Sequence, residues 1–154
     1  MAEKISWDLL IDLANQNVNQ SVETLADAIQ VQQEAESRLA TLERFHDDYV
    51  HSHAASARHG MTAEELKNQQ LFMNRLRTAI SQQKSVLAHC ASQADTARSA
   101  WQANYLKLKS YGVLAKRVDS QAAQQAGKRE QRLLDEFSTR KSSAPDSLFQ
   151  DHQK

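Results

Sequence analysis

Glycine and proline are scarce in this chain, three copies of one and a single copy of the other among 154 residues. Neither GxxxxGK[ST] nor GxGxxG occurs, and three scattered glycines cannot build a phosphate-cradling loop. The lone cysteine, Cys90, has no partner for an internal disulfide and no Cys/His metal spacing around it, which fits a reducing cytoplasm. No window of about 18 residues is apolar throughout, so no membrane span is expected. The start, "MAEKISWDLLIDLANQ", sets two acids within its hydrophobic part and lacks a small-residue cleavage site, so no signal peptide is expected either. Charge of one sign is missing too: 19 basic and 19 acidic residues cancel, leaving no global field to recruit nucleic acid or a charged membrane. Aromatic residues make up 6% of the chain, too few to fill a thick interior.

What remains is a composition of long helices, rich in Ala, Gln, Leu, Glu and Arg. Trp7, Ile11, Ala14, Val18, Ser21, Leu25, Ala28, Gln32, Ala35, Leu39, Leu42, His46 and Tyr49 step alternately by four and three, the spacing of a coiled-coil seam. Ser6 is placed to cap this helix, with Ile5 and Leu10 as a hydrophobic staple across it. The polar, small-residue run "HSHAASARHGMTAEE" then reads as a connection. Within it Thr62 and Glu65 have the spacing of a capping box that starts a second helix. The second seam runs Leu66, Gln69, Met73, Leu76, Ile80, Gln83, Leu87, Cys90, Ala94, Ala97, Trp101, Asn104, Leu108, Tyr111, Ala115, Val118 and Ala122. It thins after Ala122 and apolar residues return as Leu133, Leu134 and Phe137.

One short connection between two heptad helices predicts an all-α fold, a long antiparallel two-helix coiled-coil hairpin. Helix one is expected at about 6–52, the turn at about 53–61 and helix two at about 62–140, a single domain over 1–141 followed by a disordered tail over 142–154 around Pro145. At about 1.5 Å per residue the helices are roughly 70 and 115 Å long, so helix two overhangs. A turn centred near residue 57 places position i across from about 114 − i, which leaves everything beyond Tyr111 without a partner. Gly112 falls at that boundary, a weak point costing about 1 kcal/mol relative to Ala. A parallel homodimer of one continuous helix is the competing architecture; Gly60 and the capping box weigh against it.

Two helix segments carry more apolar surface than one seam needs. In "NQQLFMNRLRTAISQQ", Met73, Leu76 and Ile80 form the seam, while Phe72, Leu76 and Ala79 form a second stripe one position round the cylinder. Helix one echoes this with Leu42, Phe45 and Tyr49, preceded by Arg38, and the 114 − i pairing sets Leu42 opposite Phe72. A hairpin has no third helix to cover these rings, and full burial of each is worth about 1.5–3 kcal/mol. A contiguous exposed patch of this kind marks a protein interface. Leu133, Leu134 and Phe137 pose the same question, flanked by Lys128, Arg129, Arg132, Arg140 and Lys141 with Asp135 and Glu136 between. Mixed charge without interleaved aromatics argues against nucleic acid there.

Catalytic chemistry is not expected. His46, His51, His53 and His59 accompany Asp47 and Asp48, but only His46 and His53 share a face, so surface and turn histidines are the better reading than a metal site. Cys90 is a seam residue, a small hydrophobe and no nucleophile. A two-helix hairpin also lacks a pocket deep enough to exclude water. No cofactor or metal is expected, and the chain reads as a non-enzyme.

The runs "LFMNRLRTAISQQ", "ARSAWQANYLKLKSY", "SRLATLERFHDDYV" and "LLDEF", in this order and spacing, resemble the FliJ family of flagellar proteins over most of the chain. The resemblance implies a soluble component of the flagellar type III export apparatus, similar in form to the central stalk of rotary ATPases. It implies partners as well: a hexameric export ATPase, the cytoplasmic part of an FlhA-type export gate, and export chaperones. It implies a cytoplasmic protein, monomeric alone, held peripherally at the inner-membrane apparatus. The family's gate-binding patch falls on Leu42, Phe45, Tyr49, Phe72, Leu76 and Ala79. Here the family pattern favours Gln where Arg38 stands and His where Gln83 stands, and Phe45 replaces a Tyr. The region around Leu133, Leu134 and Phe137, with the start of helix one, corresponds to the end turned toward the ATPase. A stalk of a virulence injectisome is a variant of the same reading, and a nucleic-acid-associated regulatory coiled coil is a different class.

Overall fold

The computed structural model describes residues 2–143. Among them two helices account for everything but the turn: α1, Ala2–His59, and α2, Ala63–Ser143. No strand occurs among the described residues, and none of their helices is long and apolar enough to cross a membrane. The expected tail lies, beyond Ser143, outside the described residues, as does the side chain of Ile5.

Both ends of α1 extend past their sequence-based limits. Ser6 lies inside the helix and is not its cap, because the preceding Ala2, Glu3 and Lys4 are good helix formers. The segment 53–59 is helical as well, so the turn shrinks to Gly60, Met61 and Thr62. His53 and Ser56 continue the four-and-three stepping from Tyr49 and are half-buried, which carries the seam to the turn. The chain reverses at Gly60, whose φ of 88° is the left-handed conformation that ends helices at low cost only for glycine. Two residues on, the capping box forms as the spacing predicts. The Glu65 N–H donates to Thr62 Oγ1 at 3.2 Å, and the Thr62 N–H donates to Glu65 Oε2 at 3.3 Å. The Leu66 N–H closes the first turn on the Thr62 carbonyl at 3.1 Å.

The chain is organised as two compact units, Asp12–Leu108 and the residues up to Ile11 together with those from Lys109 on. In the unit of residues 12–108, α1 and α2 pack antiparallel as a coiled-coil hairpin. Every predicted seam residue of this unit is buried or half-buried except Leu66, which is exposed. Its centre is made of small side chains: Ala14, Ala35, Cys90, Ala94 and Ala97 are buried, while Met73 and Leu76 are the large residues sealed nearest the turn. Gln83 Nε2 donates to the Ala35 carbonyl at 3.1 Å, and Asn104 Nδ2 donates to Ser21 Oγ.

The register differs from 114 − i. Tyr49, not Leu42, stacks on Phe72, and Ser21 meets Asn104, where the sequence-based rule gave position 93. The cause is the turn. With 53–59 helical, the reversal is centred on Met61 instead of residue 57, and moving that centre shifts every pairing.

In the unit formed by residues up to Ile11 and from Lys109 on, Trp7 meets Tyr111 edge to face, with ring centroids 6.2 Å apart and an interplanar angle of 63°. Ala115 and Val118 are half-buried, so the covered part of α2 in this unit runs past Tyr111, again a consequence of the register. Ala122 is exposed, unlike its expected seam role, and every described side chain from Asp119 to Ser142 is exposed. Gly112 remains helical.

A candidate partner-binding groove

The groove lies in the unit of residues 12–108, and its origin is a competition for the seam. On α1 the seam position between Leu42 and Tyr49 belongs to His46, which is half-buried. Phe45, one residue earlier, is turned onto the flank and left 57% exposed. On α2 the seam takes Met73 and Leu76, both buried, so Phe72 is pushed to the flank at 47% exposed. The two flanks face the same side. Tyr49 and Phe72 join them, ring centroids 4.6 Å apart and planes tilted by 41°, the offset geometry that aromatic quadrupoles favour.

Phe45, Asp48, Tyr49, Ser52, Phe72 and Leu76 line one cavity of about 340 Å³. Four of the six residues expected at an interface therefore converge there. Leu42 belongs to the next cavity along, about 490 Å³, which it lines with Glu34, Ser37, Arg38, Thr41 and Gln83. Ala79 is half-buried on α2 between Leu76 and Gln83. Asp48 and Ser52 were not legible as site residues. Each sits one turn from a ring (Ser52 three residues after Tyr49, Asp48 three after Phe45), a spacing that marks a shared helix face only once the groove is known.

The lining of the groove is largely apolar and aromatic. Leu76 and the aromatic residues Phe45, Tyr49 and Phe72 line it, and its polar lining residues are Asp48 and Ser52. Half-buried His46 has its Nδ1 3.4 Å from Oδ1 of the neighbouring, exposed Asp47. No group of three or more His, Cys, Asp or Glu able to hold a metal ion occurs among the described residues. Covering the exposed half of each phenylalanine would contribute about 1 kcal/mol apiece. Aromatic anchors of this kind carry most of the energy where helical surfaces bind proteins.

The second expected surface lies in the other unit. Leu133, Leu134 and Phe137 are 66%, 58% and 67% exposed in the C-terminal part of α2. Leu9, near the start of α1 in the same unit, is 68% exposed.

Comparison with known proteins agrees over nearly the whole length. The chain is similar to the flagellar FliJ protein of Escherichia coli K12, 26% identical over 140 residues that cover 91% of this chain and 95% of that protein. It is similar to the flagellar FliJ protein of Salmonella typhi at 25% identity over the same coverage. The family described as flagellar FliJ protein matches residues 4–146, which include both helices through the groove and the exposed end of α2. The chain belongs to the flagellar FliJ family.

Proposed function

We propose that this chain is a non-catalytic stalk and adaptor of the flagellar type III export apparatus, binding the export ATPase ring with one end and the cytoplasmic part of an FlhA-type export gate with the groove. Family membership carries the coarse part, a flagellar export component, and favours the flagellar system over an injectisome. The observation that carries the finer part is the Tyr49–Phe72 stack beside the exposed Phe45. A two-helix unit has nothing of its own to cover these rings, so a partner is the remaining source of burial. Leu42, Phe45, Tyr49, Phe72, Leu76 and Ala79 are assigned to the gate, and Leu133, Leu134 and Phe137 to the ATPase. Export chaperones are further partners in this reading, and the chain works in the cytoplasm at the inner-membrane apparatus.

The test is a pull-down from cytoplasm with the tagged full chain, probing for the export ATPase and the FlhA-type domain. Recovery of both supports the proposal. Recovery of the gate domain undiminished by Phe72→Asp would remove the groove from it, and recovery of neither protein would overturn the adaptor role.

A further inference from the structure

The groove is one part of a longer feature of the unit of residues 12–108. Phe45 and Phe72 line the same cavity, one from each helix. Because the helices are antiparallel, equal steps of seven from such a pair, backward along α1 and forward along α2, keep both the level and the face. One step leads to Arg38 and Ala79, and a second leads to Val31 and Val86, each 48% exposed. Two observations hold these residues to the same side of the hairpin. Arg38 lines a cavity together with Leu42 and Gln83, and Gln83 Nε2 donates to the Ala35 carbonyl at a level between Arg38 and Val31. A further step gives Thr24 and Gln93, and the cavity that Thr24 lines is set with Asn17, Gln20, Ser21 and Asn104. In the other direction the row ends on Ser52 and on Glu65, which is engaged in the capping box. The apolar furrow therefore spans about 21 Å, at about 1.5 Å per residue, and one position within it is charged.

Arg38 stands midway along the furrow. It is exposed and has no ion pair with any described residue; Glu34, one turn away and lining the same cavity, forms none with it. In the free protein, water serves the guanidinium. A partner that covers Val31, Phe45, Phe72 and Val86 takes that water away, and an uncompensated charge opposes the burial. Glu34 and Asp48 line the two cavities as well, so the furrow is not basic as a whole. A single carboxylate at the level of Arg38 is the complement. The repeat of seven on both walls specifies the shape of the partner. A helix presents one apolar stripe at this period and lies between two others as the third member of a bundle, whereas an extended segment alternates its side chains every two residues. We propose that one amphipathic helix of the gate protein lies in the furrow, from Phe45 and Phe72 to Val31 and Val86, with an acidic side chain against Arg38. This rests on the assignment of the groove to the gate, and it adds the form of the occupant, its charge and two contact residues, Val31 and Val86.

The full chain and the full-length gate protein in detergent carry the test. Benzoylphenylalanine, a photo-crosslinker, replaces Val31 in one variant and Phe45 in another, both exposed positions where helicity should be kept. Both variants are expected to crosslink to the gate protein, at residues about fourteen apart in its sequence, because a helix of the partner advances as fast as α1 does. A separation of about six belongs to an extended segment, at about 3.3 Å per residue, and overturns the helix. An acidic residue is expected midway between the two crosslinked ones. Arg38→Glu should weaken binding roughly tenfold or more, and exchanging that acid for lysine should restore it. Full affinity with Arg38→Glu, or no rescue, overturns the pairing. Val86→Asp should weaken binding about tenfold as well. Crosslinking from position 45 alone, with Val86→Asp binding as the parent does, ends the furrow at the groove and overturns the extension while the gate assignment stands. The gate assignment itself fails on a different result: binding undiminished by Phe72→Asp, with no crosslink from either position.

Discussion

Tyr49 of α1 stacks on Phe72 of α2 with ring centroids 4.6 Å apart, and Phe72 remains in reach of solvent because the seam beside it is already occupied by Met73 and Leu76. This contact separates what holds the hairpin together from what it offers to others. Leu76, 8% exposed, serves both purposes; Phe72 serves mainly the second.

Phe72→Asp should therefore disable the groove at small cost to the fold. Losing the buried half of the ring costs about 1 kcal/mol, and the new carboxylate stands where water reaches it. Leu76→Ala removes a sealed seam residue and should cost about 2–5 kcal/mol. Thermal unfolding followed by circular dichroism distinguishes the two, and a motility assay at matched protein level reads the function. Full motility with Phe72→Asp would detach the groove from export.

Much of this was legible in the residues. The alternation of fours and threes marks covered positions along both helices, with Leu66 and Ala122 marked but exposed and His53 and Ser56 covered but left unmarked, because a two-helix interface is a one-dimensional pattern. The capping box was legible for the same local reason: Thr62 and Glu65 satisfy each other without reference to the rest of the chain. Register was not. A repeat of seven carries no absolute origin, and the Ala-rich run before Gly60 shows too little apolar contrast to say where α1 ends. A turn misplaced by a few residues made Leu42 the expected neighbour of Phe72 in place of Tyr49. Both residues nevertheless lay in the stripes first marked, since stripes depend on helix faces and not on alignment.

The reversal at Gly60 rests on one backbone conformation. An L-residue at a φ of 88° meets its own Cβ strain, although nothing else lies within 4 Å of an added Cβ. Gly60→Ala should lower stability by about 1–2 kcal/mol, while Gly60→Asn, better tolerated in this region, should lose less. Equal losses in chemical denaturation would show that crowding, and not φ, sets the cost.

Thr62→Ala should remove the hydroxyl that accepts from the Glu65 N–H at 3.2 Å, a loss of about 1 kcal/mol. The structural change should stay local, and hydrogen exchange at the amides of residues 63–66 is the suitable measurement. Faster exchange there with the groove unaltered is expected. Exchange accelerated throughout α2 would mean instead that the cap nucleates the whole helix.

Leu133, Leu134 and Phe137 present the opposite case, large side chains whose removal should cost the free protein almost nothing. Each is more than half exposed, so little area returns to water on truncation. Leu133→Ala with Phe137→Ala should leave the melting temperature within about two degrees of the parent, given that surface changes stay within about 0.5 kcal/mol. Co-sedimentation with the export ATPase should fall in the same variant. Unchanged co-sedimentation would move the ATPase contact elsewhere.

Ala94 tests the small-residue centre of the hairpin. At 1% exposed it lies between buried Cys90 and buried Ala97 on α2, where side chains of one to two heavy atoms fill the seam. Such a row lets two helices approach closely, so a larger residue has no void to enter and must push them apart. Ala94→Leu should cost about 1–3 kcal/mol despite adding apolar surface, whereas the same change at exposed Ala88, about three turns from the groove and off the seam, should cost nothing measurable. Urea denaturation of the two variants decides the matter: a stabilising leucine at position 94 would mean that the helices stand further apart than the packing of these alanines requires.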